Sequence, residues 1–167
     1  MKVIRTLILS SIVFSWLNAA DPCELLSIDD IKAIFPDGDI TITTHDKEPT
    51  KPLGIKRCFW DASESDMKFV QLSIIEDEET HIKVADQFAN NKQFVENPQM
   101  IDGIGDASYY GGSGLKIGAV LHVLLEKEGV LLTVMVGLGR GNKDELKHIE
   151  IEKELASKIL TKIQKEQ

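Results

Sequence analysis

The sequence predicts an α+β domain: a mainly antiparallel sheet with helices packed on it, in the order α-β-β-β-α-β-β-β-α. Three observations carry this. Apolar residues fall at helical spacing near the start, middle and end of the chain. Between those stretches lie short β-branched runs joined by polar or glycine-containing turns, which is hairpin punctuation. Strand-helix-strand units, which would signal a parallel sheet, are scarce.

The first helix is expected over Ser27 to Phe35. Ser27 stands at the cap, Asp29 and Asp30 favour the positive first turn, and Ile28, Ile31, Ile34 and Phe35 form the stripe. Pro36-Asp37-Gly38 ends it. Ile40 to Thr44 reads as a strand, and Asp46 to Lys56, with two prolines, as a polar loop. Strands over Arg57 to Ala62 and Lys68 to Glu76 flank the turn Ser63 to Asp66. A helix from Glu79 to about Val95 follows from Ile82, Ala85, Phe88, Ala89 and Val95. Asn97-Pro98 closes it.

Met100 to Tyr110 is strand-like but broken by Gly103 and Gly105, and Gly111 to Gly114 is a loop. The strongest β signal lies in Leu115 to Glu126 and Val130 to Leu138, around the turn Lys127-Glu128-Gly129. Both faces of that hairpin are apolar, which places it centrally in the sheet. Asn142 with Glu145 resembles a capping box and starts a helix to about Lys165. Its stripe of Leu146, Ile149, Ala156, Ile159 and Ile163 is interrupted by Glu152 and Lys153.

Residues 1–20 read as a secretory signal peptide. Lys2 and Arg5 supply the positive start, Leu7 to Leu17 an apolar stretch too short for a bilayer, and Asn18-Ala19-Ala20 the small residues for cleavage. Residues 21–167 then form a single domain in the periplasm or outside the cell. Loss of Lys2 and Arg5 lowers Lys+Arg from 19 to 17 against 27 Asp+Glu, a formal charge of −10. That balance argues against nucleic acid and anionic lipid as partners, since both select basic surfaces. No later apolar run reaches membrane-spanning length.

An oxidising compartment lets the two cysteines, Cys23 and Cys58, pair. A catalytic pair or a metal site are the alternatives. Redox motifs set cysteines two residues apart, and zinc needs four convergent ligands. Neither pattern is present, so the expectation is a structural disulfide with Trp60 on the Cys58 face of its strand.

Asp21-Pro22-Cys23-Glu24-Leu25-Leu26-Ser27, Cys58-Phe59-Trp60 and Gly103-Ile104-Gly105-Asp106-Ala107 resemble a family of small exported bacterial proteins of unknown function. Many of its members are actinobacterial lipoproteins. The resemblance implies a disulfide-linked α+β domain in the envelope and carries over no catalytic residue. Pro22 beside Cys23 departs from the lipoprotein cleavage box, so the expectation is a chain without a lipid anchor.

Candidate sites are few. Gly139, Arg140 and Gly141, between an apolar strand and a helix, have the composition of an anion-binding loop, although Asn142 replaces the third glycine of a dinucleotide fingerprint. A tight turn plus helix cap is the competing reading. Tyr109 and Tyr110 beside the glycine loop offer a recognition surface, against a reading as ordinary strand aromatics. His122, in the apolar hairpin, reads as a half-buried, hydrogen-bonded strand histidine. Asp37 to Glu48 fails as a calcium loop because Ile42 stands where glycine is required. Ser113 lacks the last glycine of a nucleophile elbow. No metal, cofactor or catalytic set is expected.

The leading functional expectation is an exported, non-enzymatic binding or interaction module of the bacterial envelope. The alternatives are an enzyme acting on an acidic or phosphorylated substrate at the Arg140 loop, and a carrier of a small apolar ligand between sheet and helix.

Overall fold

The computed structural model describes residues 21–112 and 119–165. Among them, helices α1 (Pro22–Leu25), α2 (Ile28–Ile34), α3 (Val84–Gln93) and α4 (Glu145–Lys165) pack on one antiparallel sheet. Its strands are β1 (Thr41–Thr50), β2 (Ile55–Ser63), β3 (Lys68–Glu76), β4 (Gln99–Met100), β5 (Ala107–Gly111), β6 (Val120–Leu125) and β7 (Val130–Leu138). Their order across the sheet is β1-β2-β3-β7-β6-β5-β4. The fold is α+β. Relative to the expected order, α1 is additional and the 100–110 strand is divided into β4 and β5.

Local chemistry explains most boundaries. Ser27 accepts the Asp30 N–H while Asp30 accepts the Ser27 N–H, a reciprocal box that starts α2. Asp21 caps α1 through the Cys23 N–H. β7 sits in the middle of the sheet, with β3 on one side and β6 on the other. On one face Trp60, Leu72, Leu121, Leu132 and Val134 meet Leu155, Ile159 and Ile163 of α4. On the other, Ile75, Tyr109, Leu124 and Leu131 meet Val84 and Phe88 of α3. The Cys23–Cys58 disulfide, with Cα atoms 5.1 Å apart, pins α1 to β2, and Cys58 and Trp60 are both fully buried.

Four expectations are corrected. The strand at Ile40 does not stop at Thr44 but runs to Thr50, pairing Asp46 with Arg57 and Thr50 with Ile55. Its polar sequence suits an edge strand with one neighbour, where charged residues discourage further pairing. The helix expected from Glu79 begins only at Val84, whose N–H goes to Asp77 Oδ1 at 2.7 Å. Residues 77–83 form turns and bends instead, and Glu79 among them meets Lys56. The box on Asn142 is replaced by Asp144, which accepts the Lys147 N–H at 3.1 Å, while Asn142 accepts the Asp144 N–H. Finally, Glu152 does not weaken the α4 stripe but belongs to it, and is fully buried. The first half of the Leu115–Glu126 strand falls partly outside the described residues, as does Ser113.

Candidate functional site

Helix α2 ends at the turn Pro36–Gly38, and this turn lies close on β2. A Cβ on Gly38 would stand 3.0 Å from the Ala62 Cβ. Helix α4 crosses the same end of the sheet but does not close on α2. Between them opens a groove of about 690 Å³, within the range of small-molecule sites. Its floor is apolar: Ile34, Phe35, Ala62, Leu138, Ile151 and Leu155. Its rim carries Asp30, Asp37, Lys68, Lys147, Glu154 and Lys158.

The rim charges are unequally engaged. Lys158 spans the gap, 3.1 Å from Glu154 and 3.4 Å from Asp30, and these carboxylates hold its ammonium pKa above the ordinary value, Glu154 first. Asp30 is partly desolvated, which raises its pKa, but its bonds from Ser27 and Lys158 outweigh this and lower it. Lys68 contacts Asp66 at 2.8 Å. Lys147 has no ion-pair partner among the described residues and is exposed. No histidine, cysteine or arginine lines the groove among the described residues. The arrangement can seat an apolar body and meet an anionic group with lysine.

The sequence-derived candidates lie elsewhere. The Arg140 N–H points at Asp66 Oδ1 (3.4 Å) and the guanidinium donates to the Ser65 carbonyl (3.3 Å). The Gly139–Gly141 loop thus docks on the turn before β3, with a carboxylate of the chain itself at its amide. Tyr109 and Tyr110 are not a recognition surface: they are 0% and 3% exposed. Alternation sends Tyr109 under α3 against Phe88 and His122, and Tyr110 into the α4 core. Both phenols are pushed up by burial, Tyr109 to about 12. Asp21, Cys23 and His45 converge, but the Cys23 sulfur is spent in the disulfide and Asp21 already receives His45 (2.8 Å) and Lys47 (3.1 Å).

His122 stacks on Tyr109 with ring centroids 4.5 Å apart, and its Nδ1 is buried without a partner among the described residues. It is half-buried as expected, yet that ring nitrogen lacks the expected hydrogen bond. Burial pulls its pKa down to about 4 from 6.5. The neutral ring is favoured only in the folded state, so its contribution is present above about pH 6.5 and is lost as pH falls to about 4, on the order of 3 kcal/mol. Urea midpoints of wild type should therefore fall across that window. His122→Phe, which keeps the stack, should flatten the fall, and an unchanged acid limb would refute the assignment.

Two buried ionisable residues were not singled out by sequence. Lys56, fully buried on the Cys58–Trp60 face, meets Glu76 and Glu79. Burial raises the Glu79 pKa more than Lys56 lowers it. Glu152 accepts the Leu121 N–H on Oε2 (3.0 Å) and the Val136 N–H on Oε1 (2.9 Å). The signal for each was a polar residue in register with a buried stripe: Lys56 two before Cys58, Glu152 three after Ile149.

Comparisons of the chain with protein-family models, curated proteins and solved structures gave no match in any of the three.

Proposed function

We propose that this chain is an exported, non-enzymatic binding module of the bacterial envelope, and that the groove between α2 and α4 takes a small amphipathic ligand. The observation that carries the reading is the groove itself, with an apolar floor on the sheet end and at its rim Lys147, which has no ion-pair partner among the described residues, beside Lys68, paired with Asp66. An apolar body on Phe35, Leu138 and Ile151 leaves water, while an anionic end meets the lysines. Export rests on the leader-like residues 1–20, the resemblance and the disulfide, which belongs to oxidising compartments.

The test of binding uses 2-naphthalenesulfonate, a rigid apolar anion, titrated by calorimetry into residues 21–167. Saturable binding is expected, abolished by Ile151→Glu and weakened by Lys147→Ala. Binding unaffected by Ile151→Glu, or none at all, refutes the groove. Export is checked by expressing the full chain and sequencing the N-terminus of the secreted form, expected near Asp21. Full-length protein retained in the cytoplasm refutes it.

A further inference from the structure

Glu152 is the one carboxylate of α4 buried on the sheet face, and its surroundings make two opposed demands. Each of its oxygens accepts one main-chain N–H, Leu121 from β6 and Val136 from β7. That geometry suits the anion. A proton on either oxygen makes that oxygen a poorer acceptor for the N–H it faces, so one contact weakens. Burial, in contrast, opposes the charge and raises the pKa well above the usual glutamate value.

The contact does not itself line the groove but adjoins residues that do. Ile151 precedes Glu152 and Leu155 follows within one turn, and both line the groove. Val136 is two residues from Leu138, which forms the floor beside them. Among the described residues the pairing of β6 with β7 ends at Leu121 and Val134, so the carboxylate takes amides at the end of that ladder.

Resting on the groove reading above, we infer that ligand binding is linked to the protonation of Glu152, which as a carboxylate clasps α4 to β6 and β7 and holds the groove wall in place. Proton uptake loosens the clasp and weakens binding. By reciprocity, a bound ligand favours proton release from Glu152. Among the described residues, few titratable groups surround it. Tyr110 faces it from β5 and stays a neutral phenol, while Glu145 and His148 lie on α4 itself. β7 carries no titratable residue, and His122, the only one on β6, lies on the α3 face.

The experiment measures 2-naphthalenesulfonate binding between about pH 5 and about pH 9, where the sulfonate keeps its charge. Wild type should bind about tenfold more weakly at the acid end, a size ordinary for coupled sites. Glu152→Gln, which offers one acceptor at every pH, should bind weakly with no such dependence. In parallel, the Glu152 side-chain carboxyl is followed by carbon NMR and the Leu121 and Val136 amides by nitrogen NMR in wild type, which needs no variant to fold. All three should titrate together above the ordinary glutamate range, and the midpoint should drop when the probe is bound. Affinity that is flat with pH, or a pH dependence retained by Glu152→Gln, overturns the linkage alone. An ordinary glutamate midpoint, or amides that do not follow it, does the same. Absence of binding at every pH overturns the groove and the linkage together.

Discussion

Lys56→Met is expected to destabilise the fold by about 3 kcal/mol or more, the cost of leaving buried charge without its partner. Lys56 is fully buried, and its ammonium meets Glu76 and Glu79, whose side chains are 18% and 16% exposed. Methionine keeps the apolar stem in the Lys56 channel, so the loss reads the charge rather than a cavity. What remains is two carboxylates side by side, one of which must take up a proton or turn out to water. Glu79 already carries a raised pKa from burial, and removing Lys56 raises it further. A raised folded-state pKa contributes stability at low pH that disappears as pH rises through it. The variant should therefore be nearest to wild type in acid and furthest from it at neutral pH. Urea unfolding of both proteins at two pH values measures this. A difference below about 1 kcal/mol at neutral pH, the range of a surface pair, would show that the triad is solvated.

Replacing both cysteines by alanine should cost about 3–4 kcal/mol, from the loop closed by residues 35 apart. The bridge restrains the unfolded chain, and in the folded one it seats α1 on β2 beside Trp60. Because Cys58 is fully buried, truncation also removes core contacts. Denaturant midpoints of the oxidised protein, the reduced protein and the double variant separate these contributions. Reduction without substitution reports the crosslink, and the further drop in the variant reports packing. Alkylation of unreduced protein should label no thiol. A reduced protein as stable as the oxidised one would mean that packing alone holds α1 in place.

Where a segment's chemistry is local, the sequence alone was enough. The Lys68–Glu76 and Val130–Leu138 strands have the expected bounds, because their apolar runs are strand-length and end at turn residues. Ser27 and Asp30 define the start of α2 within four residues. The disulfide was readable from the elimination of other cysteine chemistry, and β7 from the apolar character of both its faces. The α+β class followed from the hairpins.

Only the tertiary structure decided the roles of the polar and aromatic residues. Tyr109 and Tyr110 beside a glycine loop have the composition of a binding surface, yet both point into cores made by α3 and α4. The Asp46–Thr50 half of β1 looks like a loop because an edge strand need bury little, and its pairing with β2 supplies the hydrogen bonds that its side chains do not advertise. Glu152 interrupts an apolar period, and its amide donors come from 16 and 31 residues away. The groove joins α2, α4 and the sheet end, which no local pattern connects. Periodicity tells which side of an element turns inward. What meets it there depends on long-range packing, and a buried polar group is stable only with the partners that packing brings.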